Sequence, residues 1–132
     1  MQDDPDATAK RILVIEDEAA IRERIVRMLE YEGFRATDAG DGREGVERAR
    51  RERPDLIVCD LMMPGLSGFG ACRVLRDDPR TADIPIVVLS ALTAAADRES
   101  VRGLGVRDYV AKPFRNQALL AAVRRSLGLD EG

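Results

Sequence analysis

Four short apolar runs that lack polar alternation constrain this chain more than any other feature. Arg11-Ile12-Leu13-Val14-Ile15 runs into Glu16-Asp17, and Leu56-Ile57-Val58-Cys59 runs into Asp60. Ile86-Val87-Val88-Leu89 ends at Ser90, and Tyr109-Val110-Ala111 ends at Lys112-Pro113. Continuous β-branched runs of this length are the pattern of parallel strands buried on both faces. Parallel strands need crossovers, normally helices, and the stretches between the runs have helical spacing. Strands are expected at 11–16, 34–38, 55–60, 85–90 and 106–111. Helices are expected near 18–31, 42–52, 68–76, 94–103 and 116–127. The first helix carries Ile21, Ile25, Met28 and Leu29 on one face, and Gly33 stands where a left-handed terminator is wanted. Pro54 is expected to stop the second helix, and Gly128 to cap the last. Alternating strands and helices predict an α/β fold, a doubly wound five-stranded parallel sheet with five helices.

A chain of 132 residues is expected to form one domain over residues 10–128. Residues 1–9 are read as a polar, acidic, disordered lead-in and 129–132 as a tail. A net charge of -3 gives no electrostatic reason to bind nucleic acid or an anionic membrane. No apolar stretch approaches the roughly 20 residues needed to cross a bilayer. The chain has no histidine, which excludes imidazole metal ligands and histidine-based catalysis. Cys59 and Cys72, in an expected strand and an expected helix, read as reduced, packed thiols of a cytoplasmic protein rather than a disulfide.

In an open parallel sheet, ligands bind outside the carboxyl ends of the strands. The polar residues that end the four runs would gather there. Glu16, Asp17 and Asp60 would repel one another by about 4 kcal/mol per pair at 4 Å and an effective dielectric of 20. A cation relieves that repulsion. Carboxylates without nitrogen or sulfur ligands favour Mg²⁺, which keeps several waters and often bridges to phosphate. Lysine occurs only at positions 10 and 112. The Lys112 ammonium, beside Asp60, would keep that carboxylate ionised and then neutralise a phosphoryl oxygen. Ser90 Oγ would donate to another. The Lys112–Pro113 bond is a site where a cis peptide is cheap, and that isomer would aim the ammonium over the strand ends.

Asp60-Leu61-Met62-Met63-Pro64-Gly65 with Gly68 beyond, the Glu16-Asp17 pair, Ser90-Ala91 and Tyr109-Val110-Ala111-Lys112-Pro113-Phe114 stand in register. From Lys10 to Gly128 the chain resembles the receiver domain of two-component response regulators, the CheY-like domains. The resemblance implies a flavodoxin-like strand order 2-1-3-4-5 and a phosphorelay role. Asp60 would take a phosphoryl group from a sensor histidine kinase or phosphotransfer protein. Asp17, Asp60 and the backbone carbonyl of Met62 would hold Mg²⁺, with Glu16 acting through a metal-bound water. Ser90 and Tyr109 would form a switch that reshapes the face of the fourth helix, fifth strand and fifth helix, where a downstream partner or a second copy docks. Such a protein catalyses only its own phosphorylation and dephosphorylation.

Met62 and Leu92 would flank the phosphoryl group. Both are apolar and cannot orient an attacking water, so a long-lived acyl phosphate is expected. Ser67, Val106-Arg107 and a serine at 90 depart mildly from the commonest family pattern without removing a required group. A flavodoxin-like flavin protein is a poorer reading, because Glu16-Asp17-Glu18 after the first strand would repel a flavin phosphate. An aspartyl-phosphate phosphatase would carry its nucleophile on the first strand. The chain reads either as a stand-alone receiver or as one excised from a longer regulator.

Overall fold

The computed structural model describes residues 9–61, 68–90, 103–104 and 106–129. One sheet contains β1 (Arg11–Ile15), β2 (Arg35–Ala39), β3 (Leu56–Asp60), β4 (Ile86–Ser90) and β5 (Asp108–Ala111), ordered β2-β1-β3-β4-β5. Every neighbouring pair is parallel. Four helices are present among the described residues: α1 (Ala19–Tyr31), α2 (Gly42–Glu52), α3 (Gly68–Asp77) and α4 (Asn116–Ser126). The helix expected near 94–103 lies, but for Gly103, outside the described residues. So do residues 1–8 of the lead-in and 130–132 of the tail.

Among the described residues the expected elements are present, with boundaries shifted by a residue or two. β1 stops at Ile15 and leaves Glu16 just past its end. β5 begins at Asp108 rather than 106, because its pairing with β4 starts at Val87 beside Asp108.

Both faces of the sheet are covered, as unbroken apolar runs require. Successive side chains on a strand point to opposite faces. Leu13 and Ile15 join Ile57, Cys59 and the α2 and α3 side chains Val46 and Leu75 in one cluster. Ile12 and Val14 join Leu56, Val58 and the α1 and α4 side chains Leu29 and Leu119 in the other. Burying each such side chain stabilises the fold by about 1.5–3 kcal/mol. β2, at the sheet edge, alternates exposed and half-buried residues instead.

Local chemistry sets the helix ends. Gly33, at φ +96°, follows α1 in the left-handed region, as its position in the sequence predicts. α2 begins at Asp41, whose carboxylate accepts from Glu44 N at 2.8 Å, while Glu44 Oε1 accepts from Gly40 N at 3.0 Å. This reciprocal cap satisfies two backbone donors at once. The stop of α2 was expected from Pro54, but the turn is made one residue earlier by Arg53 at φ 48°. Gly68 opens α3 where a Cβ would lie 2.1 Å from the Asp60 carbonyl oxygen and 2.4 Å from Leu61 Cα. Only glycine lets α3 start so close to the end of β3.

Candidate functional site

The strand order reverses at β1 and β3, which opens a crevice at their carboxyl ends. Ile15 pairs with Cys59, so Glu16 leaves β1 beside Asp60, the last residue of β3. Glu16, Asp17 and Asp60 present carboxylate oxygens that lie within 4.8 Å of one another. Glu16 and Asp60 are buried and Asp17 is exposed. Backbone and side chain both hold Glu16 in place. Its amide donates to Ala39 O at 3.1 Å, and Arg22 Nη1 donates to its carbonyl at 2.9 Å. Arg22 also donates to Asp38 Oδ2 at 3.2 Å. In the sequence, Arg22 is marked for this role only by its place, about one helical turn beyond the acid pair.

Lys112 reaches this cluster from the end of β5. Its Nζ donates to Glu16 Oε1 at 3.0 Å and lies 3.3 Å from Asp60 Oδ2. Its backbone N donates to Ser90 O at 2.7 Å, tying β5 to the end of β4. The Lys112–Pro113 peptide is cis, as the sequence permits. Ser90 is fully buried beside Ala111. Tyr109 is half-buried beside Val88 and packs against the α2–α3 side of the core. The structure thus brings Glu16, Asp17, Asp60 and Lys112 together, with Ser90 at the neighbouring strand end. Met62 and Leu92, with the carbonyl and tuning roles expected of them, lie outside the described residues.

The electrostatics are those of a site short of positive charge. Burial raises the Glu16 pKa from 4.5 to about 7; the Lys112 hydrogen bond opposes this and the Asp60 charge adds to it. Burial works against the Lys112 ammonium, but the Glu16 hydrogen bond and the Asp60 charge outweigh it and raise its pKa. One ammonium serves two buried carboxylates and a third nearby. All ligand atoms of the acidic group are carboxylate oxygens, so the residues fit a hard divalent cation such as Mg²⁺. Beneath the site Cys59 and Cys72 are both free and buried. The Cys72 contact and burial push the Cys59 thiol well up, in keeping with reduced, packed thiols. None of the helices among the described residues is long and apolar enough to cross a membrane.

Comparison with known proteins agrees with this arrangement. A family model described as the response regulator receiver domain matches residues 12–124. The DNA-binding response regulator MtrA of Mycobacterium tuberculosis is 43% identical over 124 residues, covering 92% of this chain and 52% of that protein. The probable transcriptional regulator ycf27 of Porphyridium aerugineum is 42% identical over 118 residues, covering 89% of this chain and 48% of that protein. The chain thus spans about half the length of the curated relatives it matches. Among solved structures, the chemotaxis protein CheY4 of Vibrio cholerae superposes with a TM-score of 0.87 at 28% identity, covering 91% of this chain and 100% of its own. The receiver domain of the sensor histidine kinase PA1611 of Pseudomonas aeruginosa gives a TM-score of 0.83 at 35% identity, covering 92% of this chain and 99% of its own. That structure has a magnesium ion coordinated in its active site cleft.

Proposed function

The chain belongs to the response regulator receiver domain family, and we propose that it is a phosphoacceptor switch of a two-component phosphorelay. What supports this reading above all is the Lys112 ammonium 3.0 Å from Glu16 and 3.3 Å from Asp60, beside Asp17. Asp60 is the acceptor. Its carboxylate oxygen attacks the phosphorus of a kinase or phosphotransfer-protein phosphohistidine; a P–O bond forms, the P–N bond breaks, and the imidazole leaves and takes a proton. Asp17 and Asp60, with the Met62 carbonyl, would hold Mg²⁺, and Glu16 would support it through water. When bound, the ion neutralises the carboxylates and the transferring phosphoryl oxygens.

Lys112 keeps Asp60 ionised and then faces the phosphoryl charge. Ser90 Oγ donates to a phosphoryl oxygen, and Tyr109 moves inward behind it. That changes the face to which β5 and α4 contribute, where a downstream partner or a second copy docks. No chemistry beyond the domain's own phosphorylation and dephosphorylation is needed, and the apolar residues Met62 and Leu92 make the latter slow. We place the domain in the cytoplasm, with the kinases such receivers serve. DNA binding belongs to relatives about twice as long; for the receiver itself a net charge of -3 favours a protein partner.

Intact mass after incubation with acetyl phosphate and Mg²⁺ tests the reading. The wild type should gain one phosphoryl group, and Asp60→Asn or a chelator should abolish the gain. A folded wild type that takes no phosphoryl group under any condition would exclude phosphoacceptor function.

A further inference from the structure

The reach of Lys112 depends on the turn that follows its backbone bond to Ser90. Past that bond the chain leaves β5 through Pro113, which has no N–H to donate. Arg115 stands at the N-cap of α4 and makes no side-chain cap. Among the described residues, the side chain that holds this turn comes from α1. Arg24 Nη2 donates to Phe114 O at 3.0 Å and to Asn116 Oδ1 at 2.9 Å, and its Nε donates to Asn116 Oδ1 at 3.1 Å. Its guanidinium carbon also sits 4.6 Å over the centre of the Phe114 ring. Every one of these contacts falls within four residues of Lys112. The same helix, through Arg22, fixes the Glu16 carbonyl on the other side of the site. Buried Ile25 and Leu29 seat α1 against the sheet.

We propose that Arg24 is a positioning residue for Lys112, and that α1 acts as a gauge setting the distance between the Lys112 ammonium and the buried acids. This rests on the receiver reading of the site. Arg24 touches neither the acceptor nor the phosphoryl group; it acts through the backbone of residues 114–116. The role needs arginine, because a planar fork spans the Phe114 carbonyl and the Asn116 amide oxygen while stacking on a ring, which a lysine ammonium cannot do.

Two measurements on the full chain test it. With lysine carrying ¹³C at Cε, Lys10 and Lys112 give two signals, assigned by Lys112→Arg. At fixed pH without metal, Arg24→Ala should move the Lys112 signal toward that of solvated Lys10. Arg24→Lys, which keeps the charge, should recover only part of the position. Arg27→Ala, an equal charge loss on the same helix, should leave it in place. With acetyl phosphate, Arg24→Ala should lower the maximal phosphorylation rate about tenfold, as a small misplacement of a reacting group does. The Mg²⁺ concentration for half-maximal rate should be unchanged. A Lys112 signal and a rate matching those of Arg27→Ala would overturn the proposal, as would a rate loss that merely follows the unfolded fraction in a thermal melt. If the wild type takes no phosphoryl group, the receiver reading falls, and the Lys112 signal still decides whether Arg24 positions it.

Discussion

Glu16 and Asp78 are buried acids at opposite ends of the parallel strands, Glu16 after β1 and Asp78 before β4, and their surroundings drive them in opposite directions. Asp78 lies where the chain returns from α3 toward the start of β4. Its Oδ2 accepts from Arg80 Nη2 at 2.8 Å and Arg50 Nε at 2.7 Å, and its Oδ1 from Arg80 N at 2.9 Å and Arg80 Nε at 3.1 Å. The Arg80 side chain, then its backbone N–H and the Arg50 guanidinium, hold this carboxyl well below the usual carboxylate range. Among the described residues no guanidinium reaches the Glu16 carboxylate, which shares one ammonium with Asp60, so burial carries its pKa up to about 7. Two arginines around one acid make a closed structural staple. One lysine among three acids makes a site that calls for a cation. The same residue class thus builds the fold at one end and the chemistry at the other.

The largest effect expected from breaking this asymmetry is on rate. Lys112→Met should slow phosphorylation by acetyl phosphate by about 10²–10³-fold, the usual loss for one charge-stabilising donor. A rate within a factor of two of wild type would show that Lys112 is only a counter-ion.

Next comes the pH dependence of the metal-free fold. The folded chain keeps a proton on Glu16 between 4.5, its ordinary value, and about 7, where the unfolded chain has lost it. The Glu16 contribution should therefore be full below 4.5, fall across that window, and by pH 8 leave the fold less stable by up to about 3 kcal/mol. Glu16→Gln should flatten the drop, and Mg²⁺ should reduce it. Asp78, whose pKa is depressed, gives up its stability only under acid conditions and should contribute no slope between pH 5 and 8. Urea melts at pH 5 and pH 8, with and without Mg²⁺, measure both.

Gly68→Ala should cost about 1–3 kcal/mol, because the new Cβ overlaps the Asp60 carbonyl and Leu61 Cα and α3 must move. It should also slow phosphorylation, since the displaced backbone carries Asp60, the proposed acceptor. Wild-type stability and rate together would contradict that packing. The smallest effect is expected at the staple. Asp78→Asn should lower the melting temperature by several degrees with no change in phosphorylation rate or Mg²⁺ dependence. A rate change there would mean that the two ends are coupled.

Glu16, Asp17, Asp60, Ser90 and Lys112 were legible because each ends an apolar run, and in a parallel sheet a run's end is also a place in space. Gly33 and the start of α2 were legible for a similar reason: turn and cap chemistry act over a few neighbouring residues. Arg22, Arg24 and Asp78 were not. Nothing along the chain separates these arginines from the others on helical faces, or Asp78 from Asp77 beside it. Their roles come from partners far off in sequence, as when Arg24 meets Phe114 and Asn116, or Arg50 meets Asp78.

By itself, then, the sequence determined the layered α/β class, the edge at which the polar groups collect and the family to which the chain belongs. These depend on periodicity, on run length and on which residue ends each run. Only the tertiary structure decided that the Lys112 ammonium bonds Glu16 as well as facing Asp60, that burial brings Glu16 to titrate near neutrality, and that α1 braces both sides of the site. Those outcomes depend on distances between segments and on how much water reaches a charge, and both are set only once the helices have packed onto the sheet.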